Sequence, residues 1–561
     1  MARIVRDGFA VANLVGIAAA AVLMVACSGG NPGSPGPVDV SQCSGSTCAP
    51  SGPPTSPPST LKLCPDALDY STTFTGGSGS GEYIKAKFNS ATKQYQMTFV
   101  ESEVPTRAGQ INATRQGLTI TGSYTTPDAY KPTATSTDGG TTAPLALPSA
   151  EQNRCAIVLK DGQTADGSYK IPINLQDPPL LFVGQGIIGG SSPGAEIQFN
   201  GVPLGAGIFI GVVPDRVFDS FPFIGFSETV TDFSQVAGKY NELGFRMTPE
   251  GTTFQTIPNE TPAQQITGLI GWQPDAIQAS ETLNADGSCT ADTSKYSCMS
   301  TGAPWVVRTN ADGSADNVFM SAIPSNASTY PAVGVGTLQV AFAGNTAHGV
   351  MIVGKVAGTL VPVIVRVGAG HSDPNGNLLA SILDDQIGIS LLAPATTIAP
   401  TVLTGGYIGA NSASACGLVE YAGQSAQATN VTNPDGSFSV IYPSAGACID
   451  GSASFNAAVN STATLFQNPN GSLLTPFTAT VTSGFTLDYT QTQPGLVNVT
   501  ATKDLLSGTT PIFQAGDTGV LVKVGQVYGL LMNGVNQQFT TNSPSNTSKV
   551  NPFLTIGAFV Q

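Results

Sequence analysis

Residues 82–101 read EYIKAKFNSATKQYQMTFVE, and their alternation decides the fold class. From Glu82 to Phe88 polar and apolar side chains alternate, and after NSATKQ the run YQMTFVE does much the same. A period of two is the signature of a strand with one face buried, so the stretch predicts a β-hairpin. Outward from it, the same short bursts recur between turn dipeptides: Asp161-Gly162, Asp166-Gly167, Asp286-Gly287, Asp312-Gly313, Asn375-Gly376, Asp435-Gly436 and Asn470-Gly471. Helix-like windows are few and short, chiefly TPAQQITGLI and NLLASILDD. The expectation is an all-β protein of several antiparallel β-sandwich or β-barrel domains.

The beginning of the chain carries an address. Arg3 and Arg6 precede an apolar run from Leu14 to Val25, the charged and apolar regions of an export signal. That run is shorter than the roughly 20 residues needed to cross a bilayer. Met24-Val25-Ala26-Cys27 resembles the lipobox of bacterial lipoproteins, with Leu23 one place earlier than that pattern prefers. The resemblance implies cleavage before Cys27, a palmitate-type acyl anchor on its sulfur and, from Ser28 in a Gram-negative host, sorting to the outer membrane. Residues 28–60 are too rich in Pro, Gly and Ser to bury apolar area and read as a tether.

The whole chain has 22 basic and 36 acidic residues and a formal charge of −14; loss of Arg3, Arg6 and Asp7 with the signal leaves 20, 35 and −15. Basic residues are scattered, which argues against nucleic acid as a partner. Only 10% of residues are charged, which suits a neutral, hydroxyl-rich surface. Besides Cys27, eight cysteines remain: Cys43, Cys48, Cys64, Cys155, Cys289, Cys298, Cys416 and Cys448. An even number in an exported chain reads as disulfides, and eight cysteines admit 105 pairings. Joining nearest neighbours, Cys43–Cys48, Cys64–Cys155, Cys289–Cys298 and Cys416–Cys448, keeps each bridge within one domain. Zinc ligation is the rival reading, but no C-x-x-C pair exists and the two histidines lie far from any cysteine pair.

GVMIVGKVAG from Gly349 parallels GVLVKVGQVYG from Gly519, with V-G-x-V-x-G in common. Gly238-Lys239-Tyr240 and Gly406-Tyr407 each open a segment with a DGS turn and a cysteine pair, at a similar offset. The expectation is a duplication, giving a signal over 1–26, a tether over 27–60 and β domains over 61–235, 236–400 and 401–561. The segments EYIKAKFNSATKQYQMTFVESEVP, LPSAEQNRCAIVL and VAGKYNELGF resemble an uncharacterised family of proteobacterial lipoproteins, and the resemblance covers most of the chain before residue 400. It implies an envelope location and supplies no catalytic motif. Over three residues Gly238-Lys239-Tyr240 is also similar to the Gly-x-Trp opening of lipocalin barrels, which hints at a barrel there.

Motifs with possible chemistry meet local objections. Gly190-Ser191-Ser192-Pro193-Gly194 fits the G-x-S-x-G nucleophile elbow, with His371 downstream, but Pro193 removes the N–H that the oxyanion hole needs. A Ser-Pro-Gly turn is the plainer reading. Gly184-Gln185-Gly186-Ile187-Ile188-Gly189 fits G-x-G-x-x-G, yet GSSPG cannot begin the helix that would face a pyrophosphate. His348 and His371 are too few for a zinc hydrolase without carboxylates, and DGSADN at 312–317 reads as a hairpin turn more readily than a calcium loop. Trp272 and Trp305 read as buried or half-buried core anchors in preference to an exposed platform for a sugar or peptide. With no coherent catalytic set, no cofactor and no metal expected, the leading expectation is a non-enzymatic structural or binding lipoprotein, attached to the membrane by its lipid and meeting an envelope protein, glycan or apolar ligand. The rivals are a carrier enclosing a small apolar ligand in a barrel, suggested by the charge-poor GVMIVGKVAGTLVPVIVRV, and a surface hydrolase using Ser192 or His371.

Overall fold

The alternating segments do pair. In the computed structural model the described residues are 62–107, 113–130, 150–173, 175, 178–199, 202–205, 208–210, 213–250, 271–292, 298, 304–321, 348–368, 387–399, 407–411, 429–432, 438–441, 485–502, 505–507, 510–513, 515–532, 536–539, 546–549 and 553–559. Residues 1–26 and 27–60, expected as signal and tether, and both helix-like windows lie outside them, as do Cys43, Cys48, Cys416, Cys448 and His371.

The first unit comprises β1 (Phe74–Ser78), β2 (Glu82–Asn89), β3 (Gln94–Glu101), β4 (Thr119–Thr125), β5 (Ala156–Leu159), β6 (Gln163–Thr164), β7 (Leu180–Val183), β8 (Ile187–Phe199), the small hairpin β9 (Val202–Gly205) and β10 (Ile208–Ile210), and β11 (Val213–Phe226). The predicted hairpin is β2 and β3, with Phe88 opposite Tyr95 and Ile84 opposite Phe99. Neighbours run β3-β2-β1-β11-β8-β7-β5-β4, all antiparallel, and β3 pairs back onto β4. The ring is therefore a closed eight-stranded barrel, with β6 an extra strip on β4. Closure removes the sheet's edges, and at eight strands the interior is just wide enough for side chains to fill. Phe74, Ile84, Phe88, Tyr95, Met97, Phe99, Ile120 and Phe223 belong to one buried cluster, with Phe74 edge-on to Phe88 and Phe88 edge-on to Tyr124, each pair 6.2 Å apart. A six-residue helix, α1 (Ala150–Cys155), leads into β5, and Cys155 is bonded to Cys64.

The second unit comprises β12 (Gly238–Glu250), β13 (Gly271–Leu283), β14 (Cys289–Ala291), β15 (Trp305–Thr309), β16 (Ala315–Ser321), β17 (His348–Val356), β18 (Thr359–Val367) and β19 (Ile387–Pro394). Its order is β14-β13-β12-β19-β18-β17-β16-β15, with no closing pair among the described residues. The closed barrel thus lies in residues 74–226, and the barrel hint at Tyr240 is corrected: among the described residues that tyrosine sits in an open, half-barrel sheet, its hydroxyl donating to the Val236 carbonyl. Both faces of this sheet are covered. Val350, Ile352, Val363, Val365, Ile389 and Leu391 face a core shared with the barrel's Phe226 and Tyr83. Met351, Val353, Ile364 and Leu392 face a second cluster with Trp305, Phe319 and Phe233. Double burial explains the charge-poor run that suggested a carrier, since strands apolar on both faces read as continuous hydrophobic stretches. Cys289 and Cys298 are bonded at the end of this sheet.

The third unit comprises β20 (Tyr407–Asn411), the pair β21 (Thr429–Thr432) and β22 (Phe438–Ile441), β23 (Phe485–Asp488), β24 (Val497–Ala501), the pair β25 (Leu505–Ser507) and β26 (Thr510–Phe513), β27 (Thr518–Val524), β28 (Val527–Met532), the pair β29 (Asn536–Phe539) and β30 (Asn546–Lys549), and β31 (Phe553–Phe559). Its main sheet runs β20-β31-β28-β27-β24-β23. That repeats β12-β19-β18-β17-β16-β15: first strand, last strand, then the preceding strands in reverse. The matched motifs, however, are not equivalent within their hairpins. Gly354 lies inside β17 with the turn at Ala357-Gly358, whereas Gly525 is itself in the turn between β27 and β28. Val520, Val522, Leu531 and Ile556 join the central core, and the 489–496 segment docks on the second sheet. There Asn241 Nδ2 donates to the Pro494 carbonyl and Gln493 Nε2 to Asn241 Oδ1, both at 2.8 Å.

Candidate binding groove

Outward-facing positions of β1, β2 and β3 build a groove of about 880 Å³ against the edge of the second unit. Its floor follows from strand register. Lys85 stands between Thr75 and Thr98, and Lys87 is opposite Gln96. Asn317 of β16, Ser227 and Glu228 after β11, and the Ser71–Thr73 segment form its sides. Hydroxyl, amide and ammonium groups dominate the lining, whereas ordinary ligand pockets are mostly apolar.

A buried charge network fixes the floor. Asp316 accepts from Lys85 Nζ at 2.6 Å and from Arg308 Nη1 at 2.9 Å, and Arg308 Nε donates to Glu101 at 2.7 Å. Tyr83 shares its hydroxyl between Asp316 and Asn317, each at 3.2 Å, and Asn317 Nδ2 donates to Thr75 Oγ1 at 2.9 Å. Burial works to raise the Asp316 carboxyl, but hydrogen bonds from Lys85 and the Asn317 N–H, with both nearby cations, hold it below its ordinary value. Burial, then the charge of Asp316, pushes the Tyr83 phenol up. Glu101 reaches this network because the register slips between Tyr83 and Ile84. Strict alternation would put it on the inner face with Phe99; the bulge places it opposite Tyr83, re-aiming one side chain as bulges do.

Beside Glu101, partly buried Glu103 has its carboxyl pushed up to about 8, by burial first and then by the Glu101 charge. A raised carboxyl value means that the folded chain holds a proton the unfolded chain has lost. Glu103 therefore contributes stability that is full below about pH 4.5 and is lost as pH rises through about 8. Urea midpoints measured from pH 5 to 8.5 should fall less steeply for Glu103→Gln than for the parent. Equal slopes would show that Glu103 does not hold the extra proton in the folded chain.

The other residues singled out in the sequence do not converge on chemistry among the described residues. Ser192 lies within β8, so the Ser-Pro-Gly turn expectation is corrected. Its fully buried hydroxyl meets Ser78 Oγ at 2.7 Å and the Phe221 carbonyl at 3.4 Å, with no histidine among its partners. Gly184-Gln185-Gly186 connects β7 to β8 without a helix. His348 opens β17, with Nε2 3.9 Å from Glu101. In the 310–314 turn Asp312 Oδ1 accepts from the Ser314 N–H and hydroxyl. Trp305 is buried, and Trp272 is on β13, its side chain outside the described residues. The carboxylates of Glu151 and Glu281 lie close to cysteine sulfurs, but those sulfurs are spent in the Cys64–Cys155 and Cys289–Cys298 disulfides and are not thiolate ligands.

Fold and groove together define an antiparallel β protein whose filled barrel is braced against two further sheets. The chain belongs to the DUF2957 family of proteins of unknown function, whose family model matches residues 94–558. The resemblance to an uncharacterised family is borne out at that level. No curated protein matches the chain. One similar solved structure is the crystal structure of a point mutant of the vaccine antigen transferrin binding protein B from Haemophilus parasuis. It is 11% identical, with 59% of this chain and 76% of that chain covered and a TM-score of 0.15. At that score no property of the antigen transfers.

Proposed function

We propose that this chain is a lipid-anchored protein of the bacterial envelope, held by Cys27 in the outer membrane, that binds a partner through its outer surface and performs no catalysis. The filled barrel carries the binding half of this reading. Interlocked aromatic rings occupy its interior, and Arg115 and Glu82, both fully buried, pair at 3.3 Å among them. A ligand therefore has to be met outside, where the polar groove lies. Support for the anchor is the pattern of Arg3, Arg6, the apolar run and Met24-Val25-Ala26-Cys27. Acyl chains contribute roughly 0.8 kcal/mol per buried methylene, so two or more would hold the protein stably. The full chain, expressed in a Gram-negative host fed labelled palmitate, should carry label in the outer-membrane fraction. Cys27→Ala should carry none. Absence of label from the parent chain would overturn the anchor.

A further inference from the structure

We propose that the groove on β1, β2 and β3 is a binding site for an acidic saccharide, a reading that rests on the outward-facing binding function above and names its ligand. The first observation is which groups are committed. Lys85 is neutralised by Asp316, and Glu228 at the rim pairs with Lys355 at 3.0 Å. Lys87 has no ion-pair or hydrogen-bond partner among the described residues, and the Gln96 amide and Thr72 and Thr73 hydroxyls make no side-chain hydrogen bond there. The groove thus offers one uncommitted cation amid uncommitted neutral donors and acceptors, in a protein of net charge −14.

The second observation is that the floor is already ordered. Asn317 and Lys85 are held by the buried Tyr83–Asp316–Arg308–Glu101 network, so little freedom is lost when a ligand settles on them. Cross-strand neighbours lie roughly 5 Å apart and same-face neighbours about 7 Å apart along a strand. That lattice of hydroxyl, amide and ammonium groups suits a chain of rings bearing many hydroxyls and an occasional carboxylate.

Other ligand classes lack what they need. An apolar molecule finds only threonine methyls and lysine stems, with no apolar side chain in the lining. An extended peptide finds no free edge, because β1, β2 and β3 are each paired on both sides. A phosphate group is ordinarily clamped by several cations or a guanidinium fork, and Lys87 alone is neither. A polynucleotide would need a basic stripe, absent from the described groove.

The test is titration calorimetry on the full-length chain in detergent, with tetragalacturonate as the acidic probe and maltotetraose as the neutral one. Tetragalacturonate should bind saturably and lose affinity as salt is raised. Lys87→Gln, with unchanged circular dichroism, should weaken it about tenfold, the loss of one charge-assisted hydrogen bond. Maltotetraose should bind the parent more weakly and be indifferent to Lys87→Gln. No saturable binding of tetragalacturonate up to about 10 mM, or binding unaffected by Lys87→Gln, would overturn the proposal. If palmitate labelling at Cys27 survives such a failure, the ligand class falls and the anchor stands; loss of labelling with intact saccharide binding gives the converse.

Discussion

Replacing Arg115 by methionine is expected to lower the unfolding free energy by about 3–5 kcal/mol, because it strands a carboxylate inside the barrel. Arg115 is fully buried. Its Nη1 lies 3.3 Å from Glu82 Oε2, its Nε donates to the Tyr169 hydroxyl at 2.8 Å and its Nη2 donates to the Gly194 carbonyl. The guanidinium carbon also lies 5.2 Å from the Phe99 ring centroid and 5.8 Å from that of Tyr169. Methionine keeps much of the bulk and none of the charge. Glu82 would retain its hydrogen bonds from Ser80 and Ser102, both at 2.6 Å, but would lose the only cation in contact with it among the described residues. The double variant Arg115→Met with Glu82→Gln removes that uncompensated charge, keeps one acceptor oxygen for a serine hydroxyl and offers an amide N–H to the oxygen of the other. It should be more stable than Arg115→Met alone in urea denaturation. A double variant no better than the single one would mean that packing and the lost Tyr169 and Gly194 bonds, rather than the pair, carry the effect.

The fold was legible where strand alternation and turn chemistry agree, as in the hairpin of residues 82–101. Barrel closure was not, because it depends on β1 meeting β11, the first strand and the last, a pairing that no local pattern announces. The three-residue hint at Tyr240 pointed to the wrong sheet for the same reason: a short opening motif cannot tell an open sheet from a closed one. GSSPG read as a turn on local propensity, yet it lies in β8, where packing overrides propensity. The paired part of β7 reaches only to Gly190 on β8, so among the described residues Pro193 lies where β8 has a paired strand on one side only. That is where a strand tolerates proline.

The groove was half legible. Lys85, Lys87, Gln96 and Thr98 are the outward members of an alternation visible in the sequence, so their shared face could be read from residues 82–101. Asn317 and Ser227 reach the same place from far along the chain, and Asn317 arrives just after the turn that reads as a plain hairpin turn in preference to a calcium loop. Glu101 was hidden by the bulge, which shifts it from the inner to the outer face. The Cys64–Cys155 and Cys289–Cys298 bridges were legible because each joins nearest neighbours, across separations of 91 and 9 residues.

Gly354→Val should destabilise the protein by about 3 kcal/mol or more, at the upper end for overpacking, because the barrel rests directly on that glycine. A Cβ at Gly354 would lie 2.1 Å from Phe226 Cγ and 2.3 and 2.4 Å from its two Cδ atoms, so any side chain collides with the ring. Phe226 ends β11 in the central core, and it has little room to retreat. On either side of the contact the backbone is tied: the Val230 N–H donates to the Val353 carbonyl and the Lys355 N–H to the Glu228 carbonyl, both at 2.9 Å. The ring cannot lift without loosening bonds that hold the barrel's last strand to the second sheet. Phe226→Ala alone leaves a cavity and should itself cost about 3–5 kcal/mol. Combined with Gly354→Val, the valine fills part of that space, so the double variant should be less destabilised than the sum of the two single variants. Denaturation midpoints measure that coupling directly. Strict additivity would mean that the two residues do not touch in solution, and that the barrel is not seated on the second sheet through this contact.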